Sequence, residues 1–424
     1  MSIILKDLTL LDGTVTDLRI ENGLISEIGK VADKGIDCAG LIGLSGFVDP
    51  HTHLREPGFE SSETVLSGSK AAAAGGYSAV CAMANTSPVA DNSKVVEAVY
   101  DAGISAGYCQ VQPIGAVTKS LEGAALADIA GMNRSRASVK IFSDDGMCVH
   151  DPVLMQKALA EVRVFGGVVA QHAQEPLLTQ GAQMNMSPLA TELGLTGWPR
   201  VAEEMIIARD ALLAEQTQSR LHICHLTTAG GVDVVRWAKK RGIQITAEVT
   251  PHHLLLTEEL VRSYDPVYKV NPPLRTSQDA AALLDGLLDG TIDVLGTDHA
   301  PHSPEKKDAE WQNAAFGMLG LETAASVLHQ VLYQADSLDW KLFENVISSR
   351  PAKLAGLSNQ GSLQVGGQAN LTVFNPHEKM SVGAISHSLS NNNPYRGMEL
   401  QGKIQHTIYR GVFTVFDQEL QELS

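Results

Sequence analysis

Short apolar runs recur along this chain, separated by longer segments whose apolar residues follow helical spacing. The strand-like runs cover residues 41–48, 77–83, 110–117, 137–142, 167–170, 220–224, 243–249 and 292–295. Amphipathic helices are predicted between them at 63–74, 94–106, 152–165, 201–214, 230–241 and 277–288. Strand–helix alternation repeated about eight times predicts a parallel (β/α)8 barrel, a TIM-like fold whose chemistry sits where the strands end. The competing arrangement is an open doubly wound sheet. That fold calls for a Gly-rich phosphate loop after an early strand, and neither GxGxxG nor a Walker sequence occurs here.

The ends of the chain are patterned differently. Residues 1–40 alternate apolar and polar positions in short runs broken by Asp12-Gly13 and Glu21-Asn22-Gly23. Further strand-like runs lie at 370–374 and 403–416, after the turn-rich stretch 363–368. Both ends are therefore expected to pair into a small composite β domain, a β-sandwich built from 1–45 and 355–424, with the barrel spanning 46–354. The stretch 175–199 is long for a strand-to-helix connection and is expected to cover part of the site.

Polar residues collect where the strand-like runs finish. The first run leads into Asp49-Pro50-His51-Thr52-His53-Leu54-Arg55. Side chains two apart on a strand share a face, so His51 and His53 can offer two imidazoles to one cation, with the planar Arg55 beside it. An HxH pair alone is also compatible with ordinary core histidines. The fourth run leads into Ser143-Asp144-Asp145-Gly146, the fifth into His172, the sixth into His225 and the last into Asp298. Each has a bland reading: an Asp-Asp-Gly turn, a core histidine, a helix cap. Six such residues at the ends of five strands fit one site better, and four imidazoles with two carboxylates suit one or two divalent ions of the zinc class. His222, three residues before His225, is expected to face the other way and to be structural. Cys224 reads as packing, and His252 and His253, which follow the seventh run, as loop residues or as residues that support the ligands from behind.

Composition narrows the function classes. The chain has 424 residues, 44% hydrophobic and 19% charged, enough for a large core. A net charge of −16 argues against nucleic-acid or anionic-membrane partners, which need clustered Lys and Arg. It leaves room for an anionic small substrate, since salt screens a distant acidic surface beyond about 8–10 Å. No apolar run approaches the roughly 18 residues that span a bilayer, and the N-terminal residues do not read as a secretory signal. Five cysteines without a CxxC pair read as reduced thiols of a cytoplasmic enzyme.

On the stretch Asp49 to Gly58, on Val270-Asn271-Pro272-Pro273-Leu274-Arg275 and on Gly296-Thr297-Asp298-His299-Ala300-Pro301-His302, the chain resembles the bacterial long-chain (type I) dihydroorotases of the amidohydrolase superfamily. Ile223 to Thr228 and Asn313-Ala314-Ala315-Phe316-Gly317 add support. The resemblance spans essentially the whole chain. It implies a zinc-dependent cyclic amidohydrolase with two Zn2+ per subunit, which interconverts dihydroorotate and N-carbamoyl-aspartate in pyrimidine biosynthesis. It also implies that His51 and His53 hold one metal, His172 and His225 the second, and that Asp145 bridges them. Lys140, if carboxylated, is the alternative bridge. Asp298 would bind metal and handle the proton. Arg55, Asn85, Asn271, His302, Phe316 and Gly317 would contact substrate. A homodimer and a complex with aspartate carbamoyltransferase are the partners such a resemblance raises. Two departures stand out: Met83-Ala84-Asn85-Thr86 lacks the usual proline before Asn85, and Ala173-Gln174-Glu175 replaces the usual residues after His172. The rival readings are a hydantoinase or allantoinase, disfavoured by Arg55 because neutral hydantoins carry no carboxylate, and a non-catalytic scaffold of aspartate carbamoyltransferase that has lost its ligands.

Overall fold

The computed structural model describes residues 2–383 and 386–423. Eight parallel strands form its centre: β1 (Phe47–Thr52), β2 (Tyr77–Ala82), β3 (Gln110–Pro113), β4 (Ile141–Phe142), β5 (Val168–Gln171), β6 (Arg220–Ile223), β7 (Ile245–Val249) and β8 (Val294–Leu295). Regular pairing joins β1 to β3 and β4 to β8 as two sheets. Parallel bridges Gly115–Phe142 and Thr52–His299 close them into a ring. This is the expected barrel, and helices at Val65–Ala74, Ser93–Ala106, Pro152–Arg163, Val201–Thr217, Ala229–Lys240 and Ser277–Leu288 follow its strands. Among the described residues no helix is long and apolar enough to cross a membrane.

Side chains inside the ring are small. Val48, Ala79, Cys81, Ile141, Val168, Ala170 and Val294 pack against Ala352, Leu354 and Ala355 of the helix Arg350–Ala355. A floor of small and branched residues leaves the opposite end of the barrel free for polar groups.

One predicted strand proves to be two. Within residues 41–48, Ile42–Ser45 pairs antiparallel with Leu371–Ser381 in the terminal sheet, while Phe47 begins β1. The chain crosses from one sheet to the other at Gly46, where a Cβ would lie 2.2 Å from the Ser78 hydroxyl. Both strands are buried, so their apolar residues read as one run. The runs 110–117 and 137–142 are also shorter than predicted. The amides of Val117 and Thr118 donate to the Asp144 carboxylate at 2.8 and 2.9 Å instead of to a neighbouring strand.

Strands from both ends of the chain build a nine-stranded sheet. Ser2–Thr9 pairs with Val15–Glu21, which pairs with Leu24–Gly29. Leu371–Ser381, Glu399–Tyr409, Val412–Phe416 and Glu419–Leu420 continue the sheet beyond Ile42–Ser45. Leu5, Leu8, Leu18 and Ile20 share a core with Leu371, Val373 and Ile408, so N- and C-terminal strands stabilise each other. Residues 175–199 carry a short parallel ribbon (Met184–Asn185 with Gly197–Trp198) and the helix Pro188–Leu193.

Candidate active site

The six candidate ligands converge at the C-terminal end of the barrel. His51 is the penultimate residue of β1, and His53 directly follows the strand. Asp145 lies after β4, His172 directly after β5, His225 after β6 and Asp298 after β8. All six are buried. The ligand atoms of His51, His53, Asp145 and Asp298 all lie within 4.8 Å of one another, as do those of Asp145, His172 and His225. Asp145 belongs to both groups through different atoms. Its Oδ2 faces His51 Nε2 at 3.4 Å and His53 Nε2 at 3.3 Å. Its Oδ1 faces His172 Nδ1 at 3.2 Å and His225 Nε2 at 3.0 Å. Asp298 Oδ1 completes the first group, 3.0 Å from His53 Nε2 and 3.4 Å from His51 Nε2. Arg55, His225 and Asp298 all take positive φ, at 61°, 29° and 47°, so the backbone is strained where it aims these side chains.

Outward contacts orient three of the rings. His51 Nδ1 donates to Glu248, His53 Nδ1 to Asn85 Oδ1 at 2.9 Å, and His172 Nε2 to Gln174 Oε1 at 2.7 Å. Each hydrogen bond places the proton on the outer nitrogen and leaves the lone pair of the inner one facing the cluster, as metal ligation requires. His51 Nε2 is buried with no hydrogen-bond partner. Burial alone would drive His51 toward neutrality, yet Glu248, Asp145 and Asp298 raise it well above its usual range. Burial likewise opposes ionisation of Asp145, but His51, His172 and His225 hold it well below the usual carboxylate range. A centre that draws positive charge and is lined by imidazole lone pairs fits a divalent metal.

Glu248 is the principal residue the sequence reading missed. It lies on β7, accepts from His51 Nδ1, from His222 Nε2 at 3.1 Å and from the His225 amide at 2.9 Å, and so couples three strands. Its placement corrects the expectation for His222, which faces the same interior as His225. Strand β6 ends at Ile223, so alternation no longer applies by residue 225. The only signal was a lone acid in the apolar run 243–249. Asp49 is a second such brace, accepting from the His51 and Thr297 amides, each at 3.0 Å, and tying β1 to β8. Gln174, flagged only as a departure, orients His172.

The expected substrate contacts surround the cluster. Arg55 Nε donates to the Pro301 carbonyl at 3.1 Å, and its Nη groups have no hydrogen-bond partner among the described residues. Burial lowers Arg55 to about 10, against the pull of Asp298 and Asp145. The buried Asn271 Oδ1 is unpartnered. His302 Nε2 donates to the Phe316 carbonyl at 2.7 Å, and a Cβ at Gly317 would lie 2.8 Å from that nitrogen. His253 Nε2 donates to the Pro272 carbonyl at 3.1 Å and so steadies the segment carrying Asn271. Buried His252 has an unpartnered Nε2 and is pushed down to about 3 by burial. Cys224 is buried and packs beside β1 and β2, its thiol pushed up by that burial. Lys140 points elsewhere: its Nζ donates to the Phe165 carbonyl at 3.2 Å.

The chain is 55% identical to a dihydroorotase of Leifsonia xyli over 96% of this chain and 94% of that one. It is 56% identical to a dihydroorotase of Streptomyces coelicolor, over 97% and 95%. It belongs to the dihydroorotase family. The family described as Dihydro-orotase-like matches residues 40–230, a stretch that includes five of the six candidate ligands. A dihydroorotase of Mycobacterium tuberculosis is 48% identical over 97% of both chains. Among solved structures, an L-hydantoinase (dihydropyrimidinase) from Arthrobacter aurescens superposes with a TM-score of 0.87 at 24% identity, covering 99% of this chain and 97% of that one. That likeness supports the barrel-plus-β-sandwich fold of this dihydroorotase family member.

Proposed function

We propose that this chain is a metal-dependent dihydroorotase, catalysing the reversible hydrolysis of (S)-dihydroorotate to N-carbamoyl-L-aspartate in pyrimidine biosynthesis. The observation that carries the reading is the split use of Asp145, one carboxylate oxygen toward His51 and His53 and the other toward His172 and His225. Two Zn2+ per subunit fit that arrangement, with Asp298 beside the first histidine pair. When bound, such ions activate water and polarise a carbonyl. We assign the catalytic unit to residues 46–354 and the supporting β domain to 1–45 and 355–424. A cytoplasmic homodimer, able to associate with aspartate carbamoyltransferase, is the setting that the family membership suggests.

The protein's own residues divide the work. Water adds to the ring carbonyl carbon, and Asp298 accepts its proton. The C–N bond then breaks, and Asp298 delivers that proton to the departing ring nitrogen. Arg55 offers its free Nη groups to the substrate carboxylate as a two-pronged pair, with Asn85, Asn271 and His302 around it and Phe316-Gly317 against the ring.

Two measurements test this. Purified protein should contain zinc and consume dihydroorotate, followed by loss of ultraviolet absorbance; chelation should stop turnover and added Zn2+ restore it. Turnover that survives complete metal removal would refute the reading. The Arg55→Lys variant should raise KM for dihydroorotate about tenfold or more, because an ammonium cannot form the planar pair. An unchanged KM would refute the carboxylate clamp.

A further inference from the structure

Behind Phe316 and Gly317 lies a lysine that the reaction does not use. Lys307 closes the short helix Pro304–Lys307 and is only 1% exposed. No carboxylate pairs with it among the described residues. Its Nζ donates instead to three backbone carbonyls, of Lys269 at 2.8 Å, Ala315 at 3.0 Å and Gly317 at 2.7 Å. An ammonium buried without a counter-charge is costly, so its retention calls for a gain elsewhere.

The partners show where that gain lies. The Ala315 amide donates to the Lys306 carbonyl and the Gly317 amide to the Lys269 carbonyl, both at 2.9 Å. His302 Nε2 donates to the Phe316 carbonyl. Asn392 Nδ2 gives the Gly317 carbonyl a second donor at 3.1 Å and also holds Ala300 at 2.9 Å. Lys269 Nζ ties down the preceding turn through Trp311 and lies 4.5 Å above the Phe316 ring. Across Ala315 to Gly317, among the described residues, only the Phe316 amide N–H has no protein acceptor.

We infer that Lys307 is a positioning residue, which with Asn392 holds the Phe316-Gly317 backbone rigid so that the Phe316 amide is presented to substrate. The inference rests on the dihydroorotase reading. Such a brace acts through ground-state binding as well as the transition state, so its loss raises KM more than it lowers kcat.

The decisive comparison uses Lys307→Met, which keeps the linear stem and removes the donors. Metal content should match the unaltered protein. KM for dihydroorotate should rise about tenfold while kcat stays within about threefold. Asn392→Ala, which removes one donor from the same carbonyl, should raise KM by about threefold. If Lys307→Met does not fold, Asn392→Ala decides alone. A folded variant with unchanged KM, or one whose kcat falls while KM holds, overturns the positioning role. Failure of the unaltered protein to turn over dihydroorotate overturns the function itself and this role with it.

Discussion

Replacing Asp298 with Asn should cut kcat for dihydroorotate by about 10³-fold or more while leaving most of the metal bound. The amide keeps an oxygen beside His51 and His53, so the first histidine pair retains its neighbours, but an amide cannot accept the proton of the attacking water. Burial would favour a neutral Asp298; His51 and His53 outweigh it and hold the carboxyl below its usual range. The group therefore starts the cycle ionised, as a base must. Paired measurements of metal content and kcat decide the matter. A variant within tenfold of the parent kcat would remove Asp298 from proton transfer, and one stripped of metal would make its role purely that of a ligand.

Asp145→Asn should be as damaging by a different route. One carboxylate here serves both histidine pairs, and the substitution puts an NH2 donor against imidazole nitrogens whose lone pairs face inward. Metal content should fall along with turnover, the latter on the order of 10³-fold. Elemental analysis beside activity separates this from the Asp298 result, where metal persists. Full metal and activity in Asp145→Asn would mean that something else bridges. Lys140 is poorly placed to do so, with its ammonium held at the Phe165 carbonyl.

Much of the candidate site was legible because histidines and aspartates at strand ends carry a local signature. His51, His53, His172 and Asp298 each follow an apolar run, and barrel geometry then gathers strand ends whatever their separation in sequence. The braces were not legible. Glu248 is a lone acid within an apolar run, with no local feature to mark what it would bind, yet it accepts hydrogen bonds from His51, His222 and His225 inside the barrel. Lys307 lies in a polar stretch, Ser303 to Asp308, where nothing local marks it as buried, although it is only 1% exposed. Alternation misassigned His222, because a strand that ends two residues before His225 no longer constrains which way His225 points.

By itself the chain determined its barrel, its terminal β sheet and which histidines and aspartates stand at the strand ends, since periodicity and residue type act over short distances. Tertiary structure decided that residues 41–48 serve two sheets, that Asp145 shares its oxygens between two histidine pairs, and that Glu248 and Lys307 are buried supports. Those outcomes depend on which groups meet across strands far apart in sequence, where hydrogen bonding in a dry interior must be satisfied in three dimensions.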